Sequence, residues 1–211
     1  MGNSAVYLIH TSDDLDEMYA MAQRLLATAP TCCQPEVGVH VETDSHDLDR
    51  YVGVAATVCL SLDIPAYVVR QAGAVLEPCL APNDLPMSRG DGGGVHLATT
   101  LTVEMAAALR ELPPMNAHVY PPDHPLPSTL ADTFLGLVHM EQAQISWMTC
   151  WPGVHHESGF ELGVNGAALW HRPPPPGHSL YVHVPPAMPQ LAEHLAAAVG
   201  GDILGEPALG W

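Results

Sequence analysis

The 211-residue sequence contains no lysine. Its six basic residues are all arginine (Arg24, Arg50, Arg70, Arg89, Arg110 and Arg172) and stand against 23 acidic residues, so the formal charge is −17 with histidine neutral. A phosphate-loop NTPase and a protein kinase each need a lysine on the nucleotide phosphates, and pyridoxal enzymes and Schiff-base aldolases need a lysine amine. All four classes are excluded. Neutralising several phosphates takes a clustered basic face, which six dispersed arginines do not make, so nucleic acid is not an expected partner.

Charge is scarce as well as one-sided. Charged residues make up 14% of the chain and hydrophobic ones 47%, whereas an average soluble protein is about 25% charged. A disordered acidic tail needs low hydrophobicity with its charge, so this chain is expected to fold around a core. No uninterrupted apolar run approaches the roughly 18 residues of a membrane span. The opening Met1-Gly2-Asn3-Ser4-Ala5-Val6 has neither the basic start nor the long apolar stretch of a signal peptide. No membrane association is expected. The five cysteines (Cys32, Cys33, Cys59, Cys79 and Cys150) are odd in number and irregular in spacing. Such a set does not read as a disulfide framework, and a reducing cytoplasm is the expected location.

Periodicity sets the expected architecture. Val6 to His10 reads as a buried strand, followed by cap residues Thr11 and Ser12, the acidic first turn Asp13, Asp14, Asp16 and Glu17, and an apolar helical stripe from Leu15 to Leu26. The pattern repeats 33 residues on, with Val37 to Val41 as strand, Thr43 to Ser45 as cap region, and Leu48, Tyr51, Val52, Ala55, Cys59 and Leu62 as helical stripe. This predicts a βαβα unit with parallel strands. Further strands are expected at Ala66 to Arg70 and Ala74 to Leu76, a loop from Pro78 to Gly94, a helix from Leu101 to Leu112, and a Pro- and His-rich crossing from Pro113 to Pro127. Beyond it the pattern predicts strands at Phe134 to Met140, with a helix over 129–143 as the alternative, and at Ile145 to Trp151. A hairpin turning at Asn165-Gly166, a strand at Leu180 to Val184 and a closing helix from Met188 to Val199 complete it. The fold class is therefore α+β or mixed α/β, an N-terminal βαβα unit followed by an antiparallel β half with a C-terminal helix. A single domain over 1–211 is expected, divisible into 1–112, the crossing 113–127, and 128–211.

Two constellations carry chemistry. Asp13, Asp14, Asp44 and Asp47 stand where the first two strands end, with His10 and His46 nearby. Carboxylates there would hold a hard divalent cation, or simply cap and charge two helix N-termini. In the loop after the sixth expected strand, Cys150, His155, His156 and Glu157 offer three ligands for an open zinc site, or a cysteine nucleophile with a histidine base. His139-Met140-Glu141 supplies half of a zinc-deaminase signature, without its Cys-x-x-Cys. With no complete catalytic signature, the leading expectation is a small acidic interaction protein that binds a basic protein partner, of the immunity or inhibitory kind, without a cofactor. The alternative is a metal-dependent hydrolase on one of the two constellations. A third reading is a component of a larger assembly, a homo-oligomer included, completed through exposed strand edges.

Overall fold

The computed structural model describes residues 4–29, 35–80, 85–89, 94–121, 128–138, 140–151, 158–167, 169 and 175–210, with the side chains of 85–89 and 128 left out. In chain order the elements are β1 (Ala5–Ser12), α1 (Leu15–Thr28), β2 (Glu36–Asp44), a 3₁₀ turn (Leu48–Tyr51), β3 (Cys59–Ile64), α2 (Val69–Leu76) and a second 3₁₀ turn (Glu77–Cys79). There follow β4 (Leu85–Arg89), β5 (Val95–Thr100), α3 (Val103–Leu109), β6 (Asn116–Tyr120), α4 (Ser128–Leu137), β7 (Gln142–Met148), β8 (Gly159–Val164), β9 (His178–Val184), α5 (Pro189–Val199) and β10 (Ala208–Leu209). The fold is α+β, with alternating β and α segments at the start and a larger antiparallel sheet closed by the C-terminal helix.

The chain forms two compact units. The first holds residues up to Val39 and again from Gln142 onward, and the second holds His40–Asp123 and Thr129–Glu141. In the first unit the strand order is β10-β1-β9-β8-β7, and the pairings of β1 with β10 and β9, of β9 with β8 and of β8 with β7 are all antiparallel. Helices α1 and α5 pack against each other and against β1 and β9. They present Met18, Met21, Ala22 and Leu25 from one, and Ala192, Leu195, Ala196 and Val199 from the other. The sheet answers with Trp147 and Phe160, stacked at 4.9 Å between ring centroids, and Tyr19 of α1 reaches Trp147. The opposite sheet face is covered too: Val6, Leu169 and Tyr181 cluster there with Leu8 and Ala208. This is why every residue of β8 and β9 is buried. At the end of β8 the expected turn is present, Asn165 and Gly166 both having positive φ (53° and 72°), the geometry an Asn-Gly pair adopts at least cost. Ala167 and Leu169 beyond it belong to no strand, and Ala168 and Trp170 lie outside the described residues.

In the second unit the order is β2-β6-β3-β5-β4, with β6 antiparallel to β2 and β3, and β5 antiparallel to β3 and β4. Strict alternation buries Val41, Thr43, Leu60, Leu62, Ile64, Val95, Leu97, Ala117 and Val119 on one side. Met105, Ala106, Ala108 and Leu109 of α3 and Ala72 and Leu76 of α2 are buried as well, and the two helices touch. Tyr51 stacks on Phe134 of α4 at 6.1 Å. Burial pushes the Tyr51 hydroxyl up to about 12, with the Glu141 charge adding to the shift and Arg50 opposing it.

Several expected elements differ. β1 pairs antiparallel with β10 and β9, and β2 pairs antiparallel with β6, so β1 and β2 are not the adjacent parallel strands that the repeat predicted. The helix expected from Leu48 to Leu62 shrinks to one 3₁₀ turn because Gly53 takes a left-handed φ of 77° and Cys59–Ile64 is strand β3. The expected strands at Ala66–Arg70 and Ala74–Leu76 are instead the approach to α2 and its body. The loop from Pro78 to Gly94 contains β4, and the Pro-rich crossing contains β6. Over Phe134 to Met140 the helical alternative is what forms, as α4.

Candidate functional site

The acidic residues at the strand ends act locally. Asp14 is the N-cap of α1, its Oδ1 accepting from the backbone N–H groups of Asp16 (3.0 Å) and Glu17 (3.1 Å), and Ser12 Oγ accepts from Asp14 N. Asp13 is exposed beside His178, whose pKa is lowered by burial while the Asp13 and Asp14 charges oppose the shift. In the second unit Asp44 Oδ1 accepts from His46 N at 2.8 Å, and Asp47 pairs with Arg50 at 3.3 Å. His46 Nε2 donates to the Leu112 carbonyl (2.8 Å), and His10 lies 3.8 Å from Glu17. The four aspartates are thus divided between the units, two and two. Among the described residues no group of three or more His, Cys, Asp or Glu is placed to hold a metal ion.

The second expected constellation also changes character. Cys150 is disulfide-bonded, so its sulfur is neither a thiolate ligand nor a free nucleophile, and the expectation of a chain without disulfides is corrected. The disulfide partner, with His155, His156, Glu157 and His139, lies outside the described residues. Glu141 is an ion-pair partner of Arg50. Neither Cys59 nor Cys79 is part of a disulfide.

What the structure does bring together is the outward side of the second unit's sheet. The polar positions of the alternation project there: His40, Glu42 and Asp44 from β2, Asn116, His118 and Tyr120 from β6, Cys59, Ser61 and Asp63 from β3, and His96 and Thr100 around Ala98 on β5. Register arranges them in rows. Glu42 is opposite His118, His118 opposite Ser61, and Ser61 opposite Ala98. One step along, Asp44 is opposite Asn116 and Asp63 opposite His96.

The rows are bonded across the strands. Asn116 Nδ2 donates to Glu42 Oε1. The His40 and His118 rings stack at 5.0 Å, with Tyr120 at 6.3 Å from His40. Beside these rings, His40 has its pKa lowered by desolvation first and the neighbouring His118 second, with Glu42 partly restoring it. Burial also raises the Tyr120 hydroxyl, with Cys59 adding to the shift. His96 Nδ1 lies 3.0 Å from Asp63 Oδ1, and its Nε2 lies 3.3 Å from Ser61 Oγ. His118 Nδ1 is sealed from solvent without a hydrogen-bond partner.

None of Ser61, Asp63, His96 or His40 stood out in the sequence, although the signal was present. Cys59 to Ile64, Val95 to Thr100 and Asn116 to Tyr120 alternate polar and apolar residues with period two, the mark of a half-buried strand. Reading Cys59 and Leu62 as the end of a helical stripe hid the first of these, and proline neighbours hid the third. No protein-family model matches the chain, and neither a curated protein nor a solved structure gives a match.

Proposed function

We propose that the chain is an acidic binding protein that docks a cationic surface of another protein, with the outward face of β2, β6, β3 and β5 as its contact side. The observation that carries this reading is the make-up of that face. It presents the carboxylates of Glu42, Asp44 and Asp63 and the histidines His40, His96 and His118, with no arginine on any of its four strands. Three of the six arginines are engaged elsewhere. Arg50 pairs with Asp47 and Glu141, Arg110 pairs with Asp49 at 2.7 Å, and Arg24 donates to the Val199 carbonyl. Internal pairing leaves the external field acidic, which speeds encounter with a positive partner and rejects negative ones. Nothing in the described residues favours the metal-dependent hydrolase.

The compartment enters through Cys150. Cytoplasm was the expected location, yet disulfides persist chiefly where the surroundings are oxidising, so the proposed meeting place of the two proteins is an oxidising one.

The test is affinity capture from native extract on immobilised protein, in parallel with a Glu42→Gln, Asp44→Asn, Asp63→Asn triple variant. A specific high-pI partner should be retained at about 0.05 M salt and released by about 0.5 M, as screening shortens the reach of charge. The triple variant should lose it. Capture that ignores both salt and the triple substitution would overturn the reading.

A further inference from the structure

Two sites in the described residues place a serine, a histidine and a carboxylate in line. In the first unit Ser4 Oγ is 3.3 Å from His183 Nδ1, and His183 Nε2 is 2.9 Å from Glu161 Oε2. All three are fully buried, and a Cβ on Gly210 would stand 2.3 Å from Ser4 Oγ and 2.6 Å from His183 Nδ1. No substrate reaches that serine. The second set, Ser61, His96 and Asp63, lies on the outward sheet face, with the His96 and Asp63 side chains 46% and 81% exposed.

We infer that Ser61 is a nucleophile activated by His96, with Asp63 as the positioning residue, and that this site takes acyl esters. The geometry follows from strand register. Ser61 and Asp63 are two apart on β3 and share a face, and His96 is directly opposite Asp63 on β5. The imidazole therefore spans the two, one nitrogen to each. An ionised carboxylate only accepts, so the proton sits on Nδ1 facing Asp63, and Nε2 is left as a base that accepts from the Ser61 hydroxyl. The order of atoms is that of a Ser-His-Asp triad, which is recognised by geometry and not by chain position.

His118 on β6 is directly opposite Ser61. Its sealed Nδ1 has no partner, and a buried lone pair costs less than a buried N–H with nothing to donate to. The ring proton thus belongs on Nε2.

The reaction is acyl transfer to water. Ser61 Oγ adds to the ester carbonyl carbon as its proton passes to His96 Nε2. The bond to the leaving oxygen then breaks, and His96 returns the proton to that oxygen, freeing the alcohol. Water repeats the two steps on the acyl-serine, its proton travelling through His96 to Ser61 Oγ as the carboxylic acid departs. Solvent screens the exposed His96–Asp63 contact, so the acceleration belongs at the low end of general-base catalysis, about 100-fold.

The test uses the isolated full-length chain, with no partner present, so its outcome is independent of the docking proposal. A fluorophosphonate probe should modify Ser61, located by peptide mass spectrometry, and p-nitrophenyl acetate should be turned over with an initial burst. Ser61→Ala should abolish both, and His96→Gln should slow turnover about 100-fold. Asp63→Asn should lower kcat about tenfold with KM unchanged, and Asp63→Glu should restore most of it. These are outward-facing strand positions, where substitutions leave stability nearly unchanged, and near-UV circular dichroism checks each variant. An unmodified Ser61, or a Ser61→Ala protein that keeps its turnover because imidazole alone attacks the ester, overturns the inference.

Discussion

Glu161 on β8 accepts from His183 Nε2 on β9 across 2.9 Å, and both side chains are wholly buried. The contact belongs to a chain of bonds: Ser4 Oγ meets His183 Nδ1, and Gln144 Nε2 donates to the second Glu161 oxygen at 2.6 Å. A carboxylate in a core is tolerable only when its oxygens are bonded in this way. Truncating it removes the acceptor of the buried His183 N–H and of the half-buried Gln144 amide, and losing a buried partner costs about 1–3 kcal/mol.

Glu161→Ala should therefore lower the unfolding free energy by about 2–5 kcal/mol, in the range for breaking one side of a buried polar pair. Glu161→Gln retains an acceptor oxygen and should cost less. Urea unfolding of the three proteins reads the difference, and equal losses for Ala and Gln would show that volume rather than bonding is what Glu161 provides.

Asp14 makes a smaller prediction that separates capping from metal binding. Its Oδ1 accepts from Asp16 N and Glu17 N, so Asp14→Ala should cost about 1 kcal/mol and Asp14→Asn or Asp14→Ser much less, because each still offers the oxygen. A thermal melt with and without added Mg²⁺ checks it. A metal-dependent rise in Tm that vanishes in Asp14→Asn would return the site to the cation reading.

The elements legible in the sequence are those where local pattern and tertiary demand agree. Val6 to His10 runs into Asp14 and the stripe of α1, and Met188 to Val199 carries one clean apolar face with Gly200 after it. The second βα pair misleads because Leu48, Tyr51, Val52 and Ala55 have helical spacing over four residues of 3₁₀ turn and a bend at Gly53. Spacing reports which residues are buried. In Leu48 and Tyr51 burial comes from contact with neighbours such as Phe134, and not from a helix of their own. The polar face was hidden for a deeper reason. Ser61 and Asp63 gain meaning only through His96, 33 residues from Asp63, and that pairing is set by strand register, which no short window of sequence contains.

Cys150 yields a chemical prediction. Alkylation of the denatured protein should modify two fewer thiols before reduction than after, with Cys59 and Cys79 modified in both cases. Reduction should also lower Tm, since a cross-link restricts the unfolded chain. Peptide mapping identifies the partner, and equal alkylation before and after reduction would refute the bond.

His40 and His178 tie stability to pH. Both have pKa values below the usual 6.5, each through burial first. Between the lowered folded value and 6.5 the unfolded chain binds more protons than the folded one, so stability rises with pH across that window. The contribution is complete above 6.5 and is lost as pH falls through 6.5 toward the folded values. The unfolding free energy should therefore decline from pH 7.5 to 5.5, and the decline should be shallower in His40→Gln and in His178→Gln. A flat profile in the wild type would contradict the desolvation of the two rings.

The same window governs partner binding, and the sign follows from the groups on the face. His40, Glu42 and Asp44 of β2, His118 and Tyr120 of β6, Cys59 and Asp63 of β3 and His96 of β5 are the titratable groups present. Tyr120 is held protonated by its raised pKa, and histidine is the side-chain type whose charge changes between pH 7.5 and 5.5. Each protonation adds a positive charge beside Glu42, Asp44 or Asp63, so affinity for a cationic partner should fall with pH. The lowered pKa of His40 delays its charging. Replacing His96 and His118 by Gln should flatten the dependence while leaving affinity at pH 7.5 close to that of the wild type, and titration calorimetry at several pH values measures both. Binding that strengthens as pH falls would mean that the partner reads something other than the carboxylates of this face.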